Sequence, residues 1–111
     1  MNQNRRHVVV GQAAPAGTSV KTCASGTVTR IEKEDRYGMI VEISHGNDLL
    51  SLYGNLAEDG LVELGEVVSR GDVIGKVGKT SPFEASGAEY LHFSMKLKGE
   101  PVDPGKHIQG L

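Results

Sequence analysis

The sequence predicts an all-β domain, a compact antiparallel sandwich or barrel, on three observations. Fifteen glycines in 111 residues, about twice the usual share, stand singly between short apolar runs, as turn and bulge residues do. Apolar and polar residues alternate in segment after segment, the pattern of half-buried strands. No stretch carries the apolar period of a long helix.

The elements follow in order. Met1 to Arg6 are polar and are expected to be disordered, leaving residues 7–111 as one domain. Ala13-Ala14-Pro15-Ala16-Gly17 reads as a loop. Strands are expected at Ser19–Cys23, Gly26–Lys33, Gly38–Ser44 and Leu49–Tyr53. The charged run Glu32–Arg36 reads as a solvated hairpin end. His45-Gly46-Asn47-Asp48 carries a tight-turn signal. Before it, Met39, Val41 and Ile43 alternate with Ile40, Glu42 and Ser44, which suits a strand with one buried face.

Leu61 to Gly78 reads as short strands broken by Gly65, Gly71 and Gly75, and Thr80 to Gly87 as a loop. Ala88–Leu97 is the best strand. Its residues Leu91, Phe93, Met95 and Leu97 share the core side, and Tyr90, His92 and Ser94 share the side that would line a groove. Asp103 and Pro104 open a short terminal turn as cap and first position.

Composition excludes several classes. Net charge is −2 with no basic stripe, so a nucleic-acid surface is not expected. The longest wholly aliphatic run, Val8-Val9-Val10, is far too short for a membrane span. No signal peptide is recognisable, so the chain reads as cytosolic or as an excised ectodomain. The single cysteine, Cys23, excludes an internal disulfide. It reads as a small buried apolar side chain, because nothing in the sequence places a base beside it.

An ordered series of motifs then runs along nearly the whole chain. It comprises Ala14-Pro15-Ala16-Gly17-Thr18-Ser19-Val20, Gly26-Thr27-Val28, His45-Gly46 and Tyr53-Gly54-Asn55-Leu56. It continues with Val68-Ser69-Arg70-Gly71-Asp72-Val73-Ile74-Gly75, Tyr90-Leu91-His92-Phe93 and Asp103-Pro104. In order and spacing, the series resembles the LytM/lysostaphin-type zinc endopeptidases of the M23 kind. That resemblance implies the LytM-type β fold, the duplicated hybrid motif, with a groove for peptidoglycan cross-bridges.

The resemblance also says which positions carry chemistry. Members that cut hold zinc with a His, an Asp four residues on and the second His of His-x-His. Two further histidines, in Tyr-x-His-Leu and at the start of His-x-His, handle the proton of the attacking water. Here His7 and His92 take the first and third ligand positions, and the Asp position falls on Gly11. The two proton-handling positions fall on Asn55 and Tyr90. A catalytic zinc takes three protein ligands, and glycine offers no donor. Asparagine does not take up a proton at neutral pH, and a tyrosine with its pKa near 10 is a poor base there. His7, Gly11 and His92 are therefore expected to be vestigial ligand positions. No catalytic residue and no cofactor is expected, with residual weak zinc binding left open.

Tyr53-Gly54-Asn55-Leu56 and Gly75-Lys76-Val77-Gly78-Lys79, with Ser86-Gly87, further resemble the degenerate LytM domains of SpoIIQ/SpoIVFA-like sporulation proteins. This implies a non-catalytic interaction or scaffold module with a protein partner in the cell envelope, outside the cytoplasm. Sporulation, amidase regulation and contact with peptidoglycan all stay open. Two alternatives are carried forward. One is a zinc endopeptidase with replacement ligands, Glu84 or Glu89. The other is a biotinyl- or lipoyl-like carrier, for which Lys76 and Lys79 lack the usual flanking residues, or a phosphocarrier, for which the paired histidines are missing. His45 reads as part of its hairpin and His107 as solvent-exposed.

Overall fold

The computed structural model describes the backbone of residues 9–81 and 90–106, with side chains for 14–81 and 91–106. Among the described residues nine strands form in chain order: β1 (Val9–Ala13), β2 (Ser19–Lys21), β3 (Gly26–Glu34), β4 (Gly38–Ser44), β5 (Leu49–Leu56), β6 (Val67–Val68), β7 (Val73–Lys76), β8 (Tyr90–Leu97) and β9 (Glu100–Val102). A 3-10 turn, Pro104–Lys106, follows, its Lys106 amide donating to the Asp103 carbonyl at 3.0 Å. The expected all-β antiparallel architecture is therefore present.

Six strands run in the order β1-β8-β5-β4-β3-β6, with β9 added to β8, and β2 and β7 make a separate two-stranded sheet. Every pairing is antiparallel. The two sheets meet over one core. Val28, Val41, Ile43, Tyr53, Phe93 and Met95 point into it from the large sheet, and Val20 and Ile74 from the small one. Each layer alone would leave an apolar face wet, and stacking the layers removes both faces from water.

Two strands lay beyond the sequence reading. β1 uses Val9 and Val10, whose aliphatic run carries no polar alternation, and it gains a partner only where β8 lies alongside. β9 is three residues folded back onto β8 by the turn at Lys98 and Gly99, both with positive φ. The His45–Asp48 turn forms as expected. Gly46, Asn47 and Asp48 all have positive φ, and His45 N donates to Leu49 O at 2.8 Å.

The opposite faces of β5 and β8 organise the molecule. Tyr53 pairs with Phe93 and Ser51 with Met95 on the core side, while Gly54 pairs with His92 and Leu52 with Ser94 on the other. Strand alternation carries the two sets apart. Gly38 closes the β3–β4 hairpin against the loop at Thr80, where a side chain would run into the Thr80 backbone, and its φ of +70° suits glycine. Among the described residues no helix is long and apolar enough to cross a membrane.

Candidate functional site

The groove face is built around His92. Its ring is buried, 5% exposed, and lies against Tyr37 with ring centroids 4.1 Å apart and planes inclined by 31°. Gly54, opposite His92 on β5, makes that approach feasible. A Cβ there would sit 3.1 Å from the Tyr37 Cβ and 3.3 Å from the His92 Cβ. On its other side His92 pairs in register with Gly11 of β1. The topology thus sets His92 beside Gly11, a residue with no side chain, and these are the two positions that the motif spacing aligned with a histidine and an aspartate ligand.

Asn55 does a different job. Its backbone is left-handed, φ 61°, and its side chain is buried. The carboxamide Oδ1 accepts the amides of both Thr80 and Ser81 at 3.0 Å. Its own amide donates to Tyr37 O at 2.7 Å, and its carbonyl accepts from Gly78 N at 2.8 Å. Ser81 Oγ donates to Arg36 O at 2.6 Å, and Thr80 Oγ1 to Leu56 O at 2.7 Å. Asn55 is the knot that ties the β3–β4 hairpin and the 78–81 loop to the end of β5. Asparagine suits it, being at home in left-handed backbone and able to accept two donors at once.

Beyond Tyr37 the same face opens into a cleft of about 120 Å³, with Leu50 and Leu52 on its floor and Ser94 and Lys96 along β8. Its far wall is charged. Arg30 pairs with Glu32 at 2.9 Å, Glu34 at 3.0 Å and Glu42 at 3.7 Å, so three carboxylates surround one guanidinium. The sequence reading placed Glu32–Arg36 in solvent and did not place Tyr37 in the groove. The available signal was Gly54, a small residue opposite a histidine, which marks a close approach by another element.

Among the described residues, the donors on this face do not make up the three-ligand set of a catalytic zinc. Among the described residues no three His, Cys, Asp or Glu side chains gather as a metal-binding group. His7, Glu84, Glu89 and His107 lie outside the described residues. Tyr90 is described only through its backbone, paired with Ala13, so its expected place in the groove lies outside them too. Of the two lysines weighed for a carrier, Lys76 ends β7 and pairs with Asp59 at 3.0 Å, and Lys79 follows in the 78–81 loop.

A second polar cluster occupies the opposite face. Tyr53 Oη accepts from Cys23 N and from Ser51 Oγ, both at 3.0 Å, and donates to Cys23 Sγ at 3.2 Å. His45 Nε2 lies 2.8 Å from Ser51 Oγ and 4.0 Å from Cys23 Sγ, and its Nδ1 donates to Ser25 O at 2.7 Å. Burial pushes the Cys23 thiol up, but the hydrogen bonds with His45 and Tyr53 outweigh it and hold the thiol below its ordinary range. Burial, with the charge of Cys23 adding to it, drives the Tyr53 hydroxyl well above its own. A base does stand beside Cys23. The sequence reading missed it because 22 residues separate Cys23 from His45 and only the sheet brings them together.

The two-layer β architecture and its groove mark the class of LytM-like β domains. Residues 5–104 match the sequence profile of Peptidase family M23, and the chain belongs to that family. It is similar to DD-carboxypeptidase/endopeptidase Mpg of Neisseria meningitidis serogroup B, 36% identical over 100 residues, covering 90% of this chain and 22% of that protein. Stage II sporulation protein Q of Bacillus subtilis is 38% identical over 85 residues, 77% of this chain and 29% of it. In the solved SpoIIQ-SpoIIIAH pore forming complex the match has a TM-score of 0.64 at 36% identity, covering 77% of this chain and 52% of that one. Murein hydrolase activator EnvC of Escherichia coli is 34% identical over 97 residues, 87% of this chain and 22% of it. The chain thus spans less than a third of these curated relatives.

Proposed function

We propose that this chain is a non-catalytic M23 domain, extending over residues 7–111, that serves as a protein-interaction or scaffold module of the cell envelope. The observation that carries the reading is the pairing of Gly11 with His92. The position opposite the buried imidazole offers no donor, so a three-ligand zinc centre lacks its acidic arm. Asn55 supports it from the side of proton transfer. Its side chain is committed to the Thr80 and Ser81 amides and has no group that takes up a proton at neutral pH. General-base help worth about 10²–10⁴-fold is absent with it.

The relatives support an envelope role in two ways. One is a murein hydrolase activator, and another is found in a complex with a second protein. Both make a protein partner outside the cytoplasm the natural counterpart for this domain. The second relative supports an action within sporulation, and the first an action on a murein hydrolase. Membership of the M23 family speaks against the carrier reading.

The test is hydrolysis of purified peptidoglycan by the chain supplied with zinc. No soluble fragments are expected, with or without a chelator. Zinc-dependent release that stops in His92→Ala would overturn the proposal.

A further inference from the structure

The cluster on the core side of β5 is not part of the groove, and the proposed function makes no use of it. Its four side chains come from three places: Cys23 from the β2–β3 connection, His45 from the β4–β5 turn, and Ser51 and Tyr53 from β5. Ser51 and Tyr53 are buried while Cys23 and His45 are half-buried. The cluster therefore leads from the core outward, with the thiol and the imidazole at its wetter end.

The hydrogen-bond geometry determines how protons can be arranged. The Ser25 carbonyl only accepts, so Nδ1 of His45 carries hydrogen and Nε2 is the nitrogen that faces Ser51 and Cys23. From Nε2 an unbroken series runs to the sulfur through the Ser51 and Tyr53 hydroxyls, at 2.8, 3.0 and 3.2 Å. Within the series each hydroxyl gives one hydrogen bond and receives one, and Tyr53 receives a second from the Cys23 amide. The series satisfies every member in two directions. In one direction the thiol is protonated and His45 is neutral. In the other the sulfur is a thiolate accepting from Tyr53, and His45 is an imidazolium donating to Ser51. The Cys23 amide donating to Tyr53 Oη at 3.0 Å holds that hydroxyl in place in both. The nucleophile and the base, 4.0 Å apart, are joined through the two hydroxyls, and the Ser25 carbonyl orients the base, which together make an activated pair.

We infer that Cys23 and His45 form a reactive thiol–imidazole pair, and that Cys23 is a modification site for low-molecular-weight disulfides and other soft electrophiles. With a disulfide, the Cys23 thiolate attacks one sulfur. A new S–S bond forms between Cys23 and that sulfur as the original S–S bond breaks. The departing thiolate takes the proton held on His45, so one thiol and one disulfide give one mixed disulfide and one free thiol. The groups that face the sulfur are His45 from the turn and Ser51 and Tyr53 from β5. Lowering of the thiol below its ordinary range supports the pair. An envelope location would place the site where disulfides persist.

The experiment follows alkylation of the purified chain by iodoacetamide at neutral pH, read by intact mass, for the folded chain and for the same chain in urea. The folded thiol is expected to react roughly threefold to tenfold faster than the unfolded one, despite its partial burial. His45→Asn keeps a donor for the Ser25 carbonyl and removes the nitrogen that faces the sulfur, and it should abolish that advantage. Oxidised glutathione should add one glutathionyl group, absent from Cys23→Ser and removed by a reductant. A folded thiol no faster than the unfolded one, or no glutathionyl adduct, would overturn the inference. If His45→Asn does not fold, thiolate absorbance titrated against pH in the parent chain, referenced to Cys23→Ser, decides the matter. A midpoint below that of a free cysteine supports the pair, and one at or above it removes it.

Discussion

The two faces of β5 and β8 hold similar side chains and use them in opposite ways. On the groove face, His92 is roofed by Tyr37 and faced by a bare backbone position at Gly11. At the strand's end, Asn55 gives its carboxamide to the backbone of the 78–81 loop. On the core face, Cys23, His45, Ser51 and Tyr53 bind chiefly to one another. A polar residue becomes available for chemistry only when its protons and lone pairs are not already committed to holding the backbone. By that criterion Asn55 is spoken for, while the hydroxyls, imidazole and thiol of the core face are not.

The comparison can be sharpened by substitution, beginning with the groove side. Asn55→Ala removes the acceptor of two amides, one of them buried, and leaves alanine in left-handed backbone. A loss of about 2–4 kcal/mol is expected, measured by urea unfolding. On the core side, Tyr53→Phe keeps the ring beside Phe93 but removes the hydroxyl that joins Cys23 to Ser51. About 1–3 kcal/mol should go in the same assay, because Ser51 and the Cys23 amide lose a partner. If the Tyr53 substitution proves the more damaging, the core cluster is the main structural knot and the contrast between the faces is reversed.

A smaller effect concerns charge. Burial alone lowers the pKa of His45, and its hydrogen bonds to Cys23 and to the Ser25 carbonyl carry it above the ordinary value of about 6.5. In Cys23→Ser the sulfur's share disappears, and an NMR titration should find His45 lower than in the parent chain. Because the folded value is the higher one, the contribution of His45 to stability is complete below the unfolded pKa and is lost as pH rises through the folded value. The smallest effect is expected at the exposed pair of Lys33 and Glu58, 2.9 Å apart with both side chains more than half exposed. Lys33→Ala should change stability by less than about 1 kcal/mol.

Much of the fold was legible because it rests on local signals. Alternation marked β4 and β8, and the Gly46-Asn47 step marked the hairpin between β4 and β5. β1 escaped notice because Val9 and Val10 have no alternation to read, and their pairing with β8 links residues some eighty positions apart. The family was legible from motif spacing, and residues 5–104 match its profile. Gly54 marks a close approach to His92, but that Tyr37 makes it, and that His45 lies beside Cys23, were out of reach for a common reason. Each contact joins a turn to a distant element, and neither turn residue carries a local mark of where its ring will lie.

The central claim is that the groove cannot assemble a zinc centre from an imidazole opposite a glycine. Calorimetric titration of the purified, metal-stripped chain with zinc tests it most directly. The account predicts weak binding at most, with no change in His92→Ala. Tight one-to-one binding that disappears in His92→Ala would contradict it.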